Sequence, residues 1–222
     1  QPGCKALDLC SGEGGGATYL SQEHGAKVVG YELAQTAVDQ ADKKVQARGL
    51  AGQVEIRAES ISRIQAESGS IDAVTGMDAD GIHYVDDRQA LFDRVHDALK
   101  DGGAFVFKAY APGMKPDHMD ASSWDQLKKD FDHGMGWDGE DAQSTVRPPG
   151  INAESYVAQL KQAGYRDEDF EVIDLNPMYS AWQQAVFQNQ QSRGVEDTWI
   201  NSWLEQNQQS QALGFLIRAV KS

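Results

Sequence analysis

The sequence predicts an α/β protein, a doubly wound and mainly parallel sheet in one domain spanning residues 1–222. Three observations lead there. Apolar runs bounded by Gly, Asp and Ser alternate with helix-period stretches, the rhythm of repeated βα units. A glycine-rich turn, Gly12-Glu13-Gly14-Gly15-Gly16, sits where the first apolar run gives way to the first helical stretch. The chain has 222 residues with 40% hydrophobic content, enough for one sizeable core.

In chain order, strands are expected at Lys5–Leu9, Lys27–Tyr31, Gln53–Arg57, Ile71–Thr75 and Gly103–Ala109. Helices are expected between them at Gly14–His24 and Thr36–Arg48, then a short one after Ile61, then Arg88–Lys100. Asp101-Gly102-Gly103 reads as the stop of that last helix and the turn into the fifth strand. In it Leu91, Val95 and Leu99 form a core stripe. Arg88, Asp93, Arg94 and Asp97 read as a solvated face, and His96 as structural. Residues 110–150 hold four of the six prolines, Trp124, Trp137, His118 and His133, and read as a long irregular excursion. A helix at Asn152–Ala163 and a strand at Phe170–Leu175 follow. Residues 176–211 form a second, Gln-rich excursion anchored by Trp182, Trp199 and Trp203, before a closing strand at Leu213–Val220.

Composition narrows the function classes. A net charge of -14 disfavours a phosphate-tracking surface, so no nucleic acid and no anionic membrane is expected as partner. No apolar run is long enough to span a bilayer. Cys4 and Cys10 have no second pair or metal-ligand set nearby, so reduced thiols in a cytoplasmic protein, without a metal, are expected. Gln1-Pro2-Gly3 leads straight into a strand and reads as neither signal peptide nor natural initiation, so a preceding segment is expected.

The chemistry-bearing pattern is Asp8-Leu9-Cys10-Ser11-Gly12-Glu13-Gly14 together with Glu32, which ends the next strand 20 residues after Gly12. Glycines at a strand-to-helix turn permit a tight bend and close backbone approach to a ligand, while a carboxylate at the second strand's tip accepts both hydroxyls of a ribose. Gly12-x-Gly14-x-x-Ala17 also meets the relaxed dinucleotide spacing, so an NAD-dependent oxidoreductase stays open as the alternative. Asp8 and Glu13 would oppose a pyrophosphate but tolerate the sulfonium and ammonium of S-adenosylmethionine, which is therefore the expected cofactor. Asp8 also reads as a cap on the following turn.

Leu7-Asp8-Leu9-x-x-Gly12-x-Gly14-Gly15 followed by Gly30-Tyr31-Glu32-Leu33 resembles the first two motifs of class I methyltransferases. That resemblance implies a Rossmann-like fold with a seven-stranded sheet and an antiparallel last strand. It implies that Leu33 belongs to the cofactor set, that Ser60 and Ile61 flank the adenine, and that Met77 and Asp78 lie beside the methionine part. The family usually has Gly where this chain has Cys10. More narrowly, Gly12-Glu13-Gly14-Gly15, His83-Tyr84-Val85-Asp86 and Trp203-Leu204-Glu205 with Gly214-Phe215-Leu216-Ile217 resemble the sarcosine/dimethylglycine type of small-molecule N-methyltransferase. A methyltransferase fold kept only as a non-catalytic binding module remains a further alternative.

Ligands of open α/β sheets sit beyond the carboxyl ends of the strands. The loops after the fourth and fifth strands, with Asp78, Asp80, His83, Tyr84 and Tyr110, are therefore expected to meet a small-molecule acceptor. An amine that arrives protonated needs a base, for which His83 is the first candidate and His133 the second. For either, packing beneath a loop is the plainer role. The excursions 110–150 and 176–211 are expected to serve the acceptor site. Trp124, Trp137, Tyr110, Tyr179 and Trp182 could hold a methylated ammonium or simply pack the excursions, and Arg147 could grip a carboxylate or be a plain surface charge.

Overall fold

The computed structural model describes residues 3–77, 79, 81–110, 115, 119–134, 153–175, 177, 178, 181, 185 and 214–222. Two compact units emerge, one from residues 1–109, 156–171 and 217–222, the other from 110–155 and 172–216. Trp137, Arg147, Tyr179, Trp182, Trp199 and Trp203 fall outside the described residues.

Strands β1 (Lys5–Leu9), β2 (Lys27–Glu32), β3 (Val54–Ala58), β4 (Ile71–Gly76), β5 (Leu99–Tyr110), β6 (Phe170–Asp174) and β7 (Gly214–Val220) form one sheet in the order β3-β2-β1-β4-β5-β7-β6. The pairs β1/β2, β2/β3, β1/β4 and β4/β5 are parallel. The last strand is antiparallel: the Gly102 N–H donates to the Lys221 carbonyl (2.7 Å) and the Lys221 N–H to the Gly103 carbonyl (2.9 Å), so the start of β5 meets the end of β7. The order reverses between β1 and β4, and that switch opens a crevice beyond their carboxyl ends.

Helix α1 (Gly15–His24) starts after Gly14, whose φ of 72° is left-handed, and ends at left-handed Gly25, whose N–H returns to the last turn. Its buried face is Ala17, Thr18 and Ser21, small enough for close approach to the strands. Helix α2 (Gln35–Ala47) buries Val38, Ala41 and Val45 at helical spacing. These residues pack with Ala6, Val28, Val54 and Ile56 from alternate positions of β1 to β3. An aromatic core of Phe105 and Phe107 from β5, Phe92 from α4 (Arg88–Ala98) and Tyr156 from α6 (Ala153–Gln162) has ring centroids 4.6–6.2 Å apart.

The structure departs from the sequence reading in three places. The Asp101-Gly102-Gly103 turn lies inside β5, which begins at Leu99. Ile71 pairs with Leu99 and Ala73 with Ala104, so the extra residues form an irregularity that Gly102, at φ 78°, permits. Residues 121–134, expected to be irregular, form helix α5 (Ala121–Gly134). Its start signal is Asp120, whose carboxylate accepts the Ser123 N–H (2.9 Å). Arg88, assigned to a solvated face, is buried at the start of α4. Its guanidinium lies 4.6 Å from the Tyr156 ring centre and its Nε donates to Gln159 (2.6 Å), because this first-turn position faces α6.

The last described residues also hold α4. Lys221 Nζ donates to the carbonyls of His96 (2.9 Å) and Leu99 (2.8 Å), placing a cation at the helix's carboxyl end. Lys221→Ala should cost roughly 1 kcal/mol, seen as a melting-temperature drop of roughly 2–4 °C.

Candidate functional site

A cavity of about 480 Å³ opens beyond β1, β2 and β3. Its walls are Cys10 and Gly12 of the β1–α1 loop, Tyr31, Glu32 and Leu33 at the tip of β2, Glu59–Ser62 after β3, and Gly81, Val85 and Asp86 after β4. It brings together six of the residues singled out as cofactor ligands: Cys10, Gly12, Glu32, Leu33, Ser60 and Ile61. All of these residues belong to the first unit.

Glu32 ties the cavity's two nearest walls to each other. Its Oε2 accepts the Gly12 N–H (2.9 Å) and its Oε1 accepts the Ala34 N–H (2.9 Å). A carboxylate offers about four lone-pair sites, so roughly two remain for hydroxyl donors. Leu33 is 74% exposed beside it, an apolar surface that a flat ring can cover.

The cavity wall after β3 is braced from behind. The Gln65 N–H donates to Tyr31 Oη (3.1 Å), Ser60 Oγ accepts the Ser62 N–H (3.2 Å), and the Arg94 guanidinium donates to the Ser62 carbonyl. Arg94 was assigned no role from sequence because α4's polar face carries no sign of which distant carbonyl it reaches. Tyr31 is wholly buried and lies just before the motif glutamate, where its strand position gave the available signal.

Asp8 stands behind the loop, buried, and is not among the residues that line the cavity. Thr75 Oγ1 donates to it (2.7 Å), and burial pushes its carboxyl up, against hydrogen bonds from Thr75, Ser11 and the Ala17 N–H. The Ala17 bond ties Asp8 to the first turn of α1. Gly14 caps α1, where a Cβ would stand 3.1 Å from Ala41 Cβ, and it too lies off the cavity wall. Met77 is half-exposed. Asp78 lies outside the described residues, as do the side chains of His83, on α3 (Gly81–Tyr84), and of His133, on α5.

The acids that face the cavity are not Asp8 and Glu13, the two weighed against a pyrophosphate in the sequence. Asp8 is engaged by Thr75, and Glu13 pairs with Lys44 (3.5 Å). The carboxylates that line the cavity are Glu32, Glu59 and Asp86, with no Lys, Arg or His among the described lining residues. That set of acceptors suits hydroxyls, amines and a sulfonium and opposes a pyrophosphate, so S-adenosylmethionine fits.

The sequence profile of the methyltransferase domain family matches residues 6–103. Phosphoethanolamine N-methyltransferase 3 of Arabidopsis thaliana is 27% identical over 167 residues, covering 75% of this chain and 30% of that protein. Sarcosine/dimethylglycine N-methyltransferase of Aphanothece halophytica is 30% identical over 105 residues, covering 47% and 37%. The chain thus spans well under two thirds of these relatives. Among solved structures, phosphoethanolamine N-methyltransferase 2 of Haemonchus contortus in complex with S-adenosyl-L-methionine superposes with a TM-score of 0.73 at 20% identity, covering 100% of this chain and 49% of that one. Sheet order, the glycine-rich loop, the carboxylate at the tip of β2 and the matched segment are together similar to those of the class I S-adenosylmethionine-dependent methyltransferases.

Proposed function

We propose that this chain transfers a methyl group from S-adenosylmethionine to a small-molecule acceptor, most specifically an amine such as a glycine derivative. The observation that carries the cofactor half is the cavity lined by Glu32, Glu59 and Asp86 with no cationic residue among its described walls. The amine half is supported by the relatives, two of which are named as N-methyltransferases of phosphoethanolamine and of sarcosine and dimethylglycine. When bound, S-adenosylmethionine supplies an electrophilic methyl group on sulfur.

In this reading Glu32 holds the ribose hydroxyls, Gly12 and Cys10 form the floor, and Ser60, Ile61 and Leu33 hold the adenine. Met77 and Asp78 serve the methionine part. Displacement at a methyl group is in line, so holding a neutral amine in place supplies much of the rate. An ammonium has no lone pair to attack with. His83 is proposed to accept its proton, with His133 as the second candidate. His83→Asn should then lose activity most at neutral pH and recover as rising pH deprotonates the amine itself. A uniform loss at every pH would assign His83 a packing role.

The direct test is calorimetric titration with S-adenosylmethionine, S-adenosylhomocysteine and NAD, followed by an acceptor panel of amines, hydroxyls and carbon nucleophiles. Binding of the first two and turnover on amines is expected. Saturable NAD binding alone would overturn the cofactor reading, and turnover confined to hydroxyl or carbon acceptors would overturn the amine reading.

A further inference from the structure

Cys10 is the non-glycine residue with positive φ among the described residues, at 56°. Side chains rarely adopt this angle, and glycine would take it freely. Its sulfur faces Gly81, where a Cβ would stand 2.7 Å from Cys10 Sγ and 3.7 Å from Ile61 Cδ1. Cys10, Ile61 and Gly81 all line the cavity. The β1–α1 loop, through the Cys10 sulfur, and the turn after β3, through Ile61, therefore both approach Gly81 at the start of α3, the turn that carries His83.

We propose that Cys10 is a positioning residue, whose sulfur sets how closely the α3 turn approaches the cofactor loop. This rests on the cofactor reading above. The left-handed backbone is what directs the Cys10 side chain toward α3, and Gly81 leaves the space it occupies. Glycine at position 10 would ease the backbone but leave the α3 turn without its spacer. An alanine at position 81 would push the two walls apart, since the obstructing atom is the end of a short, stiff side chain. The pair is thus fitted to each other, and each substitution alone spoils the spacing in the opposite sense.

The test is a double-mutant cycle of Cys10→Gly, Gly81→Ala and the two combined, read by S-adenosylhomocysteine titration and by thermal melting of the full chain. Gly81→Ala should lower the melting temperature and weaken binding about fivefold, with Cys10→Gly in the same chain restoring affinity to within about twofold and melting temperature to within about 2 °C of Cys10→Gly alone. Cys10→Gly by itself should weaken binding while leaving the melting temperature within about 2 °C, because the left-handed angle suits glycine. A purely structural cysteine would instead lower the melting temperature and leave affinity unchanged. A double variant as impaired as Gly81→Ala, or a Gly81→Ala that binds and melts like wild type, overturns the proposal. Should wild type bind neither S-adenosylmethionine nor its demethylated product, the cofactor reading falls and positioning with it. The melting arm then still reports whether Cys10 and Gly81 are packed together.

Discussion

Glu32→Ala is expected to weaken S-adenosylmethionine binding by roughly 1–3 kcal/mol, about 5- to 150-fold in Kd, in a calorimetric titration. Two losses add. On the proposed cofactor reading the ribose loses a charged acceptor, and the Gly12 and Ala34 N–H groups lose the oxygens that receive them at 2.9 Å, so the loop is less well ordered before ligand arrives. Glu32→Gln is nearly as damaging. Both carboxylate oxygens accept backbone N–H bonds, so an amide must turn its NH2 against one of those donors. The melting temperature should fall by less than roughly 4 °C in either variant, since Glu32 is only half-buried. Unchanged affinity in Glu32→Ala would mean that the ribose is held elsewhere.

Gly30→Ala should be the most destabilising single methyl in the first unit, by about 1–3 kcal/mol or more, a fall of roughly 2–12 °C in melting temperature. A Cβ there would stand 2.2 Å from Ser11 Oγ and 2.5 Å from Ile56 Cδ1. Neither neighbour yields cheaply. Ser11 Oγ donates to the Asp8 carbonyl (2.7 Å), the Ser11 N–H donates to the Tyr31 carbonyl (3.0 Å), and Ile56 is part of the core against α2. Moving Ser11 shifts the cofactor loop, so binding should weaken together with stability. Gly30→Ala melting like wild type would show that β2 and the loop are more loosely fitted than these distances state.

The βα rhythm fixed strand and helix identity almost throughout, because apolar alternation and helical spacing are local signals. What escaped was set by partners far along the chain. Arg88 reads as a surface charge until α6, some seventy residues on, brings Tyr156 and Gln159 to it. Gly102 reads as a turn, yet pairing with Lys221 at the far end of the sequence draws it into β5. The α5 helix was legible in Asp120 and in the spacing of Trp124, Leu127 and Phe131, but the surrounding prolines outweighed them. In the site, Glu32 and the glycine turn carried their own signal. Glu59, Asp86 and Gly81 did not, since three loops from different strands must meet before their side of the cavity exists.

The first unit is assembled from three separate stretches, the last of them residues 217–222. During synthesis from the amino end, β5 is complete roughly a hundred residues before its partner β7 leaves the ribosome. For that interval the growing chain carries an open strand edge, with N–H and C=O groups ready to pair with any extended neighbour. Long-range closure of this kind is slow, and it makes the final strand the step that retires the edge. Chains halted before β7 should therefore accumulate as aggregates rather than as a smaller folded species, even though the whole cofactor cavity has by then been made.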